Sequence, residues 1–63
     1  MKKGCYNVEF SNCMGGEWKL YTIFNVYNKK DEKLIKALEK FLARRGLFVR
    51  LTYDETMTRL MNE

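Results

Sequence analysis

Five cations, Lys29, Lys33, Lys36, Lys40 and Arg44, recur through KKDEKLIKALEKFLARRG, residues 29 to 46, at spacings of four, three, four and four. On an α-helix this spacing confines them to about 80° of arc and strings them along about 22 Å, fifteen rises of 1.5 Å. A row of that sign and length suits phosphate, because Lys and Arg neutralise a nucleic-acid backbone and release its counterions. The competing reading is a solvated face. A helix packed on a sheet turns its charged side to water, and Glu32 and Glu39 flank the row.

The rest of the inventory argues against a reaction centre. Histidine is absent, which removes the usual general base near neutral pH and the commonest nitrogen ligand for metals. Asp31 and Glu32 stand at the start of the helical segment, where carboxylates complement the helix dipole without any catalytic role. Gly15-Gly16 joins two strand-like stretches and does not precede a helix, so it is not a phosphate loop. Cys5 and Cys13 lie eight residues apart on one extended segment. At 3.3 Å per residue that is about 26 Å, beyond a disulfide, so both are expected to be free thiols. Two cysteines without histidine do not close a tetrahedral zinc site. No catalytic residue, cofactor, metal or small-molecule substrate is expected.

The elements that position these groups can be read from periodicity. Tyr6, Val8 and Phe10 alternate with Asn7, Glu9 and Ser11, which predicts a half-buried strand over Gly4 to Ser11. A second strand, from about Glu17 to Tyr27, puts Trp18, Leu20, Phe24 and Val26 on one parity. A three-residue Met14-Gly15-Gly16 loop with one glycine left-handed sets Cys13 opposite Glu17, so that Phe10 meets Leu20 and Tyr6 meets Phe24. Asn28 is a good N-cap for the helix and Gly46 a good C′ residue, with Leu47 able to touch Leu42 as in a Schellman ending. Leu34, Ile35, Leu38, Phe41 and Leu42 form the face that packs on the sheet.

LFVRLTYD, residues 47 to 54, alternates again and gives a third strand. A right-handed crossover makes it parallel to the second strand; it can lie beside the first strand, as in half of a ferredoxin-like fold, or beside the second, and the former is preferred. In the tail, Met57, Leu60 and Met61 have the spacing of one helical turn. The expected fold is α+β: a single ββαβ domain over residues 1–63, half of a ferredoxin-like arrangement, with a three-stranded sheet, one amphipathic helix on one face and a short C-terminal helical turn.

That fold leaves one sheet face without a helix. By alternation it carries Lys19, Tyr21, Ile23, Asn25 and Tyr27, joined by Phe48, Arg50 and Thr52 from the third strand. Aromatic residues and Arg are enriched at protein interfaces. The expected protein interface is therefore Tyr21, Ile23, Tyr27, Phe48 and Arg50, with Met57, Leu60 and Met61 as an adaptable edge.

Length and composition bound the function. Sixty-three residues make one small domain with a thin stability margin, which homodimerisation would enlarge. A content of 46% apolar and 14% aromatic residues with no proline is a folding composition. The net charge of +4 permits an anionic partner without demanding one. MKKG is not followed by an apolar h-region, and LYTIFNVY is too short to span a bilayer, so a soluble cytoplasmic protein with no membrane partner is expected. The leading expectation is a non-enzymatic regulator or inhibitor that acts by protein contact, of the kind phages and mobile elements encode against host factors. The alternative is a nucleic-acid-binding regulator using Lys29, Lys33, Lys36, Lys40 and Arg44.

Overall fold

The computed structural model describes residues 1–62. Its elements run β1 (Gly4–Ser11), β2 (Lys19–Val26), α1 (Lys29–Arg44), β3 (Phe48–Asp54) and α2 (Glu55–Asn62). The sheet has the order β2-β1-β3, with β1 antiparallel to both neighbours. β3 therefore lies beside β1 and runs in the same direction as β2, as the crossover through α1 requires. The C-terminal turn expected from Met57, Leu60 and Met61 extends to an eight-residue helix.

Local chemistry sets both ends of α1. The Asn28 side chain accepts the Asp31 N–H at 2.9 Å, and the Asp31 carboxylate accepts the Tyr27 N–H at 3.0 Å. Two donors at the helix entrance are thus satisfied reciprocally. At the other end the Gly46 N–H reaches the Ala43 carbonyl at 3.0 Å and the Leu47 N–H reaches that of Leu42 at 3.4 Å, the two bonds of a Schellman ending.

The core is the layer between α1 and the sheet. Tyr6, Val8, Val26, Ile35 and Leu42 are buried, with Phe24, Leu38, Leu47, Val49, Leu51 and Tyr53 packed around them. Two residues expected in this layer are not enclosed: Leu34 is 50% and Phe41 48% exposed. The buried stripe of α1 centres on Ile35, Leu38 and Leu42, and Leu34 and Phe41 lie about 40–60° beyond its edge. A three-stranded sheet is too narrow to reach them. The Arg45 guanidinium lies 4.9 Å from the centre of the Phe41 ring and covers part of it.

The hairpin departs from the expected register midway. Tyr6 pairs with Phe24 and Val8 with Thr22 as the pattern predicts, but Glu9 then pairs with Leu20 and Phe10 with Lys19. Tyr21 is the extra residue of a β-bulge, and Phe10 does not meet Leu20. The turn itself is closed by the Gly16 N–H to the Cys13 carbonyl at 3.0 Å, with Gly15 at φ +78° in the position where a type II turn needs a left-handed residue.

α2 is latched to the start of β1. The Asp54 carboxylate caps it by accepting the Met57 N–H at 3.0 Å. The buried Thr58 hydroxyl donates to the Asp54 carbonyl at 2.7 Å and accepts the Cys5 N–H at 2.8 Å, so one side chain continues the β1–β3 ladder past the end of β3. Gly4 makes room for it. A Cβ there would lie 2.6 Å from both Thr58 Oγ1 and Tyr53 Cε2, and the backbone stands at φ +146°, a region that favours glycine.

Two substitutions test this latch by denaturant unfolding followed through Trp18 emission. Thr58→Val keeps the shape but orphans the Cys5 N–H, and should cost about 1–3 kcal/mol. Gly4→Ala should cost at least about 1–3 kcal/mol through backbone strain, with the clash in addition. An unchanged midpoint in either would mean that the latch does not hold α2 in place.

Candidate interaction surfaces

Cross-strand partners in an antiparallel sheet point to the same side, so the register assigns the faces. Asn7, Glu9 and Ser11 share the side away from α1 with Thr52, Arg50 and Phe48. On β2, Ile23 and Asn25 lie on that side opposite Asn7 and Cys5, and past the bulge Leu20 joins them opposite Glu9.

A polar cluster sits within this outer face. Arg50 Nε donates to Glu9 Oε1 at 3.0 Å and Thr52 Oγ1 donates to the same oxygen at 2.7 Å. The Arg50 guanidinium also stacks over the Trp18 indole, 4.3 Å from the ring centre. The bonds from Thr52 and then from Arg50 stabilise the carboxylate and hold the Glu9 carboxyl below the usual glutamate range. The Arg50 guanidinium is thus oriented by a carboxylate on one side and an indole face on the other.

Apolar side chains surround it: Leu20 is 56%, Ile23 47% and Phe48 43% exposed. Tyr27, next along the face, reaches the Met61 sulfur with its hydroxyl at 4.0 Å, which brings the tail of α2 to the margin of the sheet. Ile23, Phe48 and Arg50 thus share the outer face, whereas Tyr27 and Met61 meet each other at its far end, beyond the Gly4–Val26 pair. Within α2, Met57 is half-buried and Leu60 is exposed.

Tyr21 is not part of this face. Its ring packs edge-on against Phe10 at 6.2 Å, and Phe10 belongs to the side that carries α1. Lys19 crosses over with it, since it pairs with Phe10. The bulge exchanges these two for Trp18 and Leu20, which strict alternation had assigned to the core. The sequence does carry a signal for the exchange: in WKLY apolar residues fall on both parities, so no single register can bury them all.

The five cations of α1, Lys29, Lys33, Lys36, Lys40 and Arg44, are all exposed. Among the described residues the ion pairs are Met1 amine to Glu32, Arg50 to Glu9 and Arg59 to Glu55, and none involves this row. Glu39 is half-buried.

Other chemistry is sparse. Cys5 and Cys13 are free, the first buried and the second exposed in the hairpin loop. Burial, and then the Asp54 carboxylate, push the Cys5 thiol up, so it is a poor nucleophile. Among the described residues no three His, Cys, Asp or Glu side chains are placed to hold a metal ion, and no helix is long and apolar enough to cross a membrane. A half-open cleft of about 350 Å³ between the N-terminal segment and the start of α1 is lined by Val26, Tyr27, Lys29 and Glu32 among others, and its one carboxylate is already paired with the Met1 amine. Comparison with known proteins returns no matching family model, no matching curated protein and no matching solved structure.

The Glu9 cluster has a pH signature. Because the folded state lowers the affinity of Glu9 for a proton, its contribution to stability is present above the unfolded glutamate value of about 4.3 and is lost as pH falls through the lower folded value. Wild type should therefore lose more stability than Glu9→Gln over that acid range. Trp18, the only tryptophan, should change its emission as Arg50 is released. Parallel pH profiles for the two proteins, with constant emission, would mean that the cluster does not form in solution.

Proposed function

We propose that this chain is a small non-enzymatic binding protein that acts in the cytoplasm, as a dimer, by occupying a larger protein through its outer sheet face. The observation that carries this reading is the face itself: Trp18, Leu20, Ile23 and Phe48 surround the Glu9–Arg50 pair, Tyr27 lies toward the Cys5 end, and α2 reaches only that end. An apolar ring around a fixed, oriented Arg is the composition of a protein-binding patch, in which the aromatic and Arg anchors supply most of the binding energy.

The exposed area leaves room for self-association. A monomer of 7.6 kDa is expected to expose about 4,300 Å², and this one exposes 4773 Å². The excess of about 500 Å² is more than half of the roughly 800 Å² that one partner contributes to a standard interface. Regulation by occupancy needs no reaction centre, and it fits a chain whose carboxylates are engaged mainly in caps and ion pairs.

Light scattering on eluting protein should give a dimer, and Ile23→Lys with Phe48→Lys should give a folded monomer with the wild-type circular dichroism spectrum. The same double variant should lose any protein that wild type co-purifies, while Tyr21→Ala, on the other side of the sheet, retains it. A monomer in all cases, or partner capture that survives the double variant, would remove the outer face as the working surface.

A further inference from the structure

The row on α1 faces away from the outer sheet face and stands on different observations. Lys29, Lys33, Lys36, Lys40 and Arg44 are neighbours at i+3 or i+4, and like charges at those spacings weaken a helix. A merely solvated face is better served by alternating signs. Of the acids that could alternate with it, Glu32 and Glu39 flank the row, Glu32 already paired with the Met1 amine, and most of the others are engaged elsewhere. Glu9 holds Arg50, Asp31 closes the entrance of α1, Asp54 caps α2 and Glu55 pairs with Arg59. The row is left with five exposed positive charges and no ion pair among the described residues.

We infer that this ridge of α1 is a docking surface for the phosphate backbone of a nucleic-acid duplex. The dimensions agree. The ridge is about 22 Å long by helical rise, and one strand of B-DNA presents a phosphate every 3.4 Å of axis, about six over that length, so five cations come close to one per phosphate. The row is held on one helix, so the spacing of the charges along the ridge is set by the backbone. An anionic membrane fits less well. Binding flat on a bilayer needs a broad apolar side on the same helix, and here Ile35, Leu38 and Leu42 are enclosed against the sheet, which leaves Leu34 and Phe41 as the half-exposed apolar residues of α1. The ridge carries no group arranged to read base edges, so recognition is of the backbone, independent of sequence and sensitive to salt.

The test is fluorescence anisotropy of a labelled 20-base-pair DNA duplex titrated with the full chain from 50 to 300 mM salt. Binding should be micromolar at the low end, and log Kd should rise with log salt at a slope of up to about 4.5 for five phosphate contacts. Lys36→Glu with Lys40→Glu should weaken binding at least ten-fold and lower the slope by about 2, and Lys36→Gln with Lys40→Gln should give an intermediate loss, with circular dichroism confirming that each is folded. Ile23→Ala with Phe48→Ala should bind DNA as wild type does, which keeps this outcome separate from that of the outer face. The inference fails if there is no anisotropy change at 50 mM salt, if affinity survives both ridge variants, or if phosphatidylserine vesicles bind the chain and compete the duplex away.

Discussion

A sheet has two faces, and this chain has one long helix with which to cover them. Most of the molecule follows from that inequality. α1 encloses Tyr6, Val8 and Val26 beneath Ile35 and Leu42, and the second face receives only α2, held by the Thr58 hydroxyl at the Cys5 end. For 63 residues the fraction of surface that can be buried is small, so the uncovered side chains cannot simply be moved inward. The outer face instead solves part of the problem with its own chemistry: Arg50 shields one side of the Trp18 indole and neutralises Glu9, which Thr52 also bonds.

The bulge at Tyr21 makes that arrangement available. In an unbroken register Trp18 and Leu20 would point toward α1 at the end of the sheet, and Lys19 would stand on the outer face opposite Ser11. One inserted residue reverses the parity of the loop-proximal half of β2. The indole then lies under the guanidinium, and Tyr21 packs against Phe10 on the other side. A local irregularity in an edge strand thus decides which residues any partner of this face would meet.

Charge is segregated in the same way as apolar surface. The acids serve ends and joints: Asp31 at the entrance of α1, Asp54 at the entrance of α2, and Glu9 in the centre of the sheet. The helix back keeps its cations unpaired among the described residues. The chain consequently presents two chemically different sides, an apolar one ordered around a fixed Arg and a basic one ordered along a helix axis.

The features legible in the amino-acid order are those governed by neighbours in sequence. The extent of β1, both ends of α1, the glycine in the hairpin turn and the exposure of the five-cation row follow from period, capping and turn chemistry, each of which acts within four or five residues. Crossover handedness set the direction of β3, the ferredoxin-like preference agreed with its place beside β1, and strand alternation put Ile23, Phe48 and Arg50 on the outer face. Tertiary structure decided the rest. The bulge arises because Phe10, Tyr21, Trp18 and Arg50, spread over forty positions of the chain, must be accommodated at once. The exposure of Leu34 and Phe41 reflects the width of a sheet that no single helix segment encodes. The Thr58 latch joins residues 53 positions apart, and a hydroxyl in a tail has no local pattern that announces its partner. Local rules specify elements and their ends, whereas packing across the sheet settles which side chains share a face, because that choice minimises the burial left undone by all the elements together.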